Sequence, residues 1–242
     1  MSRTHRIGSG HVGFPLRELR GLKTIGPLSL WVMCATSILV GTSCIPESQP
    51  LPATGAPTEA MRTTVSQALG VLQDQALKKP ERTDERVTRL KQIADVRFDY
   101  REMAKQSLGG QWDKLAERER QEFVDLFTEL LTATYLEQMH AYSGEEVTFL
   151  NERLEGNYAE VKSLLVGKKT EIPMDYRLMK KGDDWKAYDV VVEGISLVRN
   201  YRGQFAAILR SSSYEHLVQI LREKNAQYNV KTKSSETNTA SP

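Results

Sequence analysis

Residues 185–205, W-K-A-Y-D-V-V-V-E-G-I-S-L-V-R-N-Y-R-G-Q-F, limit the possible fold more than any other part of the chain. The first half alternates with the period of two that a strand requires. From Ile195 onward, Val198, Tyr201, Phe205 and Ile208 recur at the three-and-four spacing of a helix. The change of period falls at Glu193-Gly194. A strand joined so directly to a helix implies that sheet and helix border one apolar space. The side chains facing it are aliphatic or aromatic, with no nucleophile–base pair and no ligand set for a metal. Such a lining points to binding of something apolar rather than to chemistry.

The flanking sequence sets the class. Helices are expected over 58–79 (Val65, Leu69 and Leu72 on one stripe, ended by Pro80), from Thr83 as a cap through Ala94, and over 99–107 until Gly109-Gly110 breaks the pattern. Trp112 reads as a hydrophobic plug. The strongest helix covers 116–142, with Phe123, Phe127, Leu130, Leu131, Thr134 and Met139 on one side. Strands are expected over 145–151, 158–166, 170–180 and 184–192, the last two joined by a turn at Lys181-Gly182-Asp183. In the fourth, Tyr188, Val190 and Val192 alternate against Ala187 and Val191. Helices over 195–210 and 214–227 close the domain. The expectation is an α+β fold: N-terminal helices, a curved four-stranded antiparallel sheet, then C-terminal helices around an apolar cavity. The lining candidates are Val161, Met174, Tyr176, Tyr188, Val190, Val198, Tyr201 and Phe205, between the sheet and the helices over 116–142 and 195–210. For each of them plain core packing is the alternative.

Other chemistry finds little support. His140 and His216 lie far apart and bring no neighbouring ligands for a metal. Ser196 follows Gly194, but G-I-S-L-V lacks the second glycine of a nucleophile elbow, so Ser196 reads as a helix cap. Asp175, Asp189 and Glu193 could form a carboxylate set, but Arg177, Arg199 and Arg202 are available to pair with them. No basic patch with interleaved aromatics speaks for nucleic acid. No catalytic, metal or cofactor residues are therefore assigned, and a monomer is expected. No cluster of charges at fixed positions of a cavity mouth stands out, so weak head-group discrimination is expected of any lipid site.

The N-terminus reads as an export signal. Arg17, Arg20 and Lys23 precede an apolar run over 28–40 and the small residues Gly41, Thr42 and Ser43. A signal peptide over 1–43 is expected, with an uncleaved anchor as the competing reading. Cys44 follows at once, which fits lipidation of a first mature cysteine, although Gly41 stands where such signals carry leucine; ordinary cleavage after Ser43 is the other reading. Residues 44–57 are a Pro/Ser-rich linker, 58–228 the folded domain and 229–242 a disordered tail. Residues 1–43 hold five basic side chains and one acidic, so without them the net charge of +2 becomes −2. Cys44 is then the sole cysteine, and stability has to come from the core.

Three stretches, M-A-K-Q-S-L-G-G-Q-W, R-Q-E-F-V-D-L-F-T-E-L-L-T-A-T-Y and D-Y-R-L-M-K-K-G-D-D-W-K-A-Y-D-V-V-V-E-G-I-S-L-V-R-N-Y-R-G-Q-F, resemble the MlaC family. This is the toluene-tolerance auxiliary component of ABC-type phospholipid transport. The resemblance covers about residues 65–224 and implies a curved sheet packed by helices, similar to the nuclear-transport-factor-2 type. It implies a periplasmic carrier that holds a phospholipid by its acyl chains. The implied partners are an inner-membrane ABC transporter complex with a mammalian-cell-entry domain ring and an outer-membrane lipoprotein complex. A hopanoid or other apolar lipid is an alternative cargo, and a non-transporting structural or adaptor lipoprotein an alternative role. A lipidated Cys44 would tether the domain instead of leaving it free to diffuse.

Overall fold

The structure, a computed structural model, describes residues 56–139, 142–168 and 171–237. All belong to one unit, Ser48–Pro242. The expected signal peptide, Cys44, His140 and Thr170 lie outside the described residues.

Helix α1 spans Ala56–Gln73. It stops short of the expected residue 79 because Asp74 turns its carboxylate onto the backbone N–H of Ala76 at 2.8 Å, a local bond that competes with the helix. Helix α2, Thr83–Arg97, follows a 3₁₀ turn at Pro80–Arg82. Thr83 does not cap it, since its hydroxyl donates to the Pro80 carbonyl at 2.8 Å. Helix α3, Tyr100–Leu108, is capped by Asp99, which accepts the Glu102 N–H at 3.0 Å. A 3₁₀ turn over Gly109–Lys114 buries Trp112, and α4 covers Glu117–Met139.

The sheet is a meander of β1 (Glu146–Glu155), β2 (Tyr158–Val166), β3 (Glu171–Lys181), β4 (Asp184–Val192) and β5 (Ile195–Ser196), paired antiparallel in that order. Five strands replace the expected four. Glu193 and Gly194 have φ of +52° and +80°, and two positive angles in succession make a tight hairpin rather than a strand-to-helix switch. The chain therefore turns back, Ile195 pairs with Val192 and Ser196 with Val191, and helix α5 starts only at Leu197, running to Ser211. Helix α6, Tyr214–Thr237, continues ten residues past the expected end. No glycine or proline interrupts 228–237, so the backbone stays helical where composition had indicated a tail.

Two bulges bend the meander. Register slips between Phe149 and Asn151, leaving Leu150 as the extra residue of β1. It slips again where Arg177 faces Asp189 and Leu178 faces Ala187, leaving Tyr188 as the extra residue of β4.

Apolar side chains gather in two clusters. One lies on a single face of the sheet, where Phe149, Ala159, Val161, Tyr176, Leu178, Trp185 and Ala187 pack with Met61 of α1. The other is helical, with α3, α4, α5 and α6 contributing Met103, Phe123, Phe127, Tyr201, Phe205, Tyr214 and Leu217 among others. Phe98, between α2 and α3, packs against both.

Candidate functional site

The period of two places Val161, Tyr176 and Val190 on one cross-strand row, each in register with the next. Ala159, Leu178 and Ala187 form the adjacent row, and Met174 continues the face on the other side. Coverage grades along this face. Leu178 and Ala187 are fully buried, whereas Met174 and Val190 are only half-buried. Four of the eight lining candidates thus meet on one apolar surface.

Polar groups within it are held neutral or engaged. The Tyr176 hydroxyl donates to Met174 Sδ at 3.2 Å, and burial pushes its phenol up to about 12. The Ser163 hydroxyl donates to the Met174 carbonyl. At the β1 end of the Val161 row stands Glu152, which accepts both the Thr58 N–H at 3.1 Å and its hydroxyl at 2.6 Å. Arg97 joins α1 to the sheet a second time. Its Nε donates to the Thr64 hydroxyl at 3.0 Å, and its Nη1 to Asp184 at 2.9 Å and to the Trp185 carbonyl. Burial alone would raise the Asp184 carboxyl, but hydrogen bonds from Lys186 and Arg97 hold it near 2.

The other four candidates lie elsewhere. Val198, Tyr201 and Phe205 belong to the helical cluster. There Tyr201 and Phe205 meet the Phe127 ring edge-on at 5.1 and 5.7 Å, and Phe205 meets Phe123 at 5.6 Å. The α5 stripe packs helix on helix instead of facing the sheet row. Tyr188 packs against this cluster too, 6.1 Å from the Tyr158 ring. As the bulge residue it breaks the alternation: Ala187 and Val190 share the sheet cluster, and Tyr188 points away from them. The expected enclosure of the sheet residues by α4 and α5 is corrected accordingly. Their described cover is α1, through Met61, Ala60 and Val65. Met61, Phe98 and Phe149 escaped the sequence reading: Met61 extends the Val65–Leu69–Leu72 stripe by one turn, but nothing local shows that this stripe faces the sheet.

Of the residues considered for chemistry, Asp189 and Ser196 are structural braces. Asp189 is 2% exposed. Its Oδ2 accepts from Arg177 Nη1 at 3.0 Å and from the Ser196 hydroxyl at 2.6 Å, and its Oδ1 accepts the Val198 N–H at 3.0 Å. Ser196 in turn caps α5 by accepting the Arg199 N–H at 3.1 Å. This trio pins the hairpin to the helix. Among the described residues no three His, Cys, Asp or Glu side chains are grouped to hold a metal ion.

Fold and site together define an α+β domain in which N-terminal helices, an open antiparallel sheet and C-terminal helices leave one sheet face apolar under a helix. The chain belongs to the MlaC protein family, whose profile matches residues 62–223. The intermembrane phospholipid transport system binding protein MlaC of Haemophilus influenzae is 21% identical over 126 residues, covering 50% of this chain and 59% of that one. The chain thus matches less than two thirds of that curated relative. A solved structure, the phospholipid-binding protein from Ralstonia solanacearum in complex with a phospholipid, is similar with a TM-score of 0.64. Its identity is 25%, over 72% of this chain and 99% of that one.

Proposed function

We propose that this protein is a periplasmic phospholipid carrier that holds acyl chains on the apolar face of its sheet, beneath α1. The observation that carries the reading is the graded row Val161–Tyr176–Val190, closed at the Leu178 and Ala187 side and half-covered at Met174 and Val190. An acyl chain in water is unfavourable by about 0.8 kcal/mol per CH₂. A carrier has to offset this with apolar area, and it needs no acid, base or metal. The phospholipid bound by the Ralstonia solanacearum relative and the transport system named for the Haemophilus influenzae relative support the same reading.

In this proposal the carrier passes lipid between an outer-membrane lipoprotein complex and an inner-membrane ABC transporter complex. A lipid on Cys44 would restrict it to one membrane, with the Pro/Ser-rich stretch 44–57 as the expected linker. The test is mass spectrometry of the organic extract of purified protein, followed by transfer of labelled phospholipid from loaded protein to empty vesicles. Near-stoichiometric phospholipid and transfer above the spontaneous rate are expected. Protein that purifies lipid-free and takes up none from vesicles would sink the proposal.

A further inference from the structure

Two stretches roughly ninety residues apart meet at a second, basic cleft. It measures about 380 Å³ and lies between α3, the 3₁₀ turn that follows it and the first turns of α5. Trp112 and Val198, both buried, contribute its apolar lining, and Lys105, Arg199 and Arg202 supply cations. Gln106 adds an amide, and Asp113 is the one carboxylate in the lining.

Three features bear on these cations, whose side chains are exposed. First, Arg97, Arg101, Arg120, Arg177 and Arg222 each hold a carboxylate, whereas the side chains of Arg199, Arg202 and Lys105 take no hydrogen-bond or ion-pair partner among the described residues. Second, Arg199 and Arg202 are three apart on α5, where like charges disfavour the helix unless an anion lies between them. Third, Arg202 is seated against backbone. A Cβ on Gly109 would stand 3.0 Å from its Nε and 3.1 Å from its Nη2, and Gly109 has φ of +56°, which also favours glycine. The missing side chain lets a guanidinium lie on the turn.

We infer that this cleft is a phosphate-binding site in which Arg199, Arg202 and Lys105 receive the phosphate oxygens of a small ester or a lipid head group, with Trp112 and Val198 lining the organic part. A guanidinium presents a planar fork of donors that matches phosphate bidentately. The volume falls at the lower end of small-ligand pockets, larger than inorganic phosphate needs and suited to a phosphate carrying a short polar group. The site uses none of the sheet-face residues assigned to acyl chains, so each assignment stands or falls separately.

The test titrates the full chain at low salt with inorganic phosphate, with glycerol 3-phosphate, and with phosphatidylglycerol vesicles beside phosphatidylcholine vesicles. Calorimetry reads the soluble probes and co-sedimentation the vesicles. R199Q and R202Q are compared with wild type. Arg210 is an exposed arginine on the same helix away from the cleft, and R210Q serves as the control. Melting curves verify the fold of each variant. Saturable binding is expected, stronger for glycerol 3-phosphate than for phosphate. It should weaken at least tenfold in R202Q and in R199Q and stay within twofold in R210Q. Binding of the soluble probes assigns free phosphate esters as a source. Dependence on Arg202 seen only with phosphatidylglycerol vesicles assigns the lipid head group. If neither probe class binds, or if R210Q weakens binding as much as R202Q, the inference is overturned.

Discussion

Val190→Glu and Val198→Glu insert the same carboxyl into the two apolar clusters, and the structure predicts opposite results. Val198 is 3% exposed in the helical cluster, and its own N–H is bound by the Asp189 carboxylate at 3.0 Å. A glutamate there loses the burial of the valine, about 1.5–3 kcal/mol. It must also ionise beside another carboxylate or stay protonated at pH 7. Holding its pKa three units above the ordinary value adds about 4 kcal/mol. The total, roughly 5–7 kcal/mol, reaches the whole stability of an ordinary domain, so Val198→Glu should be largely unfolded. Val190 is half-buried beside Tyr176. There the carboxylate keeps water on one side, and the loss is about 1–2 kcal/mol, half the valine transfer plus a small shift. An acyl chain laid over it would strip that water, which is unfavourable by several kcal/mol and lowers affinity by a thousandfold or so. The assay is urea unfolding of both variants together with lipid content per mole of protein. A folded Val190→Glu that retains wild-type lipid would refute the sheet-face assignment. Collapse of both variants would mean that the sheet face is closed core, as the adaptor reading requires.

Three further outcomes are expected. Asp189→Ala leaves the Ser196 hydroxyl and the Val198 N–H without their acceptor and Arg177 with Glu160 alone, at 4.0 Å, so the urea midpoint should fall by the equivalent of about 2–4 kcal/mol; a loss under 1 kcal/mol would mean the brace is idle. Tyr176 keeps its proton to about pH 12 when folded and to about 10 when unfolded, so its contribution is whole below pH 10 and declines as pH rises to 12, by up to about 2–3 kcal/mol. Unfolding curves of Tyr176→Phe should decline less steeply over that window, and identical slopes would contradict the assignment. If Cys44 is lipidated, Cys44→Ser should move the protein from the membrane to the soluble fraction, and an unchanged distribution together with an unmodified Cys44 in wild type would remove the tether.

Local pattern carried much of the fold. β2 and β4 begin and end where alternation and the Lys181-Gly182-Asp183 turn put them, because period two and a Gly182 φ of +60° are properties of short segments. β5 was invisible, since two residues have no period and Glu193-Gly194 reads equally well as a turn or a helix start. The Tyr188 bulge is set by how β3 and β4 register, which no single strand encodes. The same limit divided the proposed site. Val161, Met174, Tyr176 and Val190 followed from alternation, whereas which helix would cover them depended on tertiary packing. The basic cleft was lost for a related reason: Lys105 and Arg202 are neighbours only through the folded chain.

The meander has two edges, β1 and the stretch of β4 that the two-residue β5 leaves uncovered, and each is closed to further growth in its own way. Along β4 the outward carbonyls are already taken, Trp185 by the Arg97 side chain and Ala187 by the Asp99 N–H, before β5 occupies Val191 and Val192. Along β1 the Leu150 bulge interrupts the ladder, and Glu146, Glu152, Arg153 and Glu155 stud the strand with charge. A passing strand finds neither a straight run of free N–H groups nor a neutral surface on which to settle. A domain with one apolar sheet face is thereby kept from stacking edge to edge with its own copies.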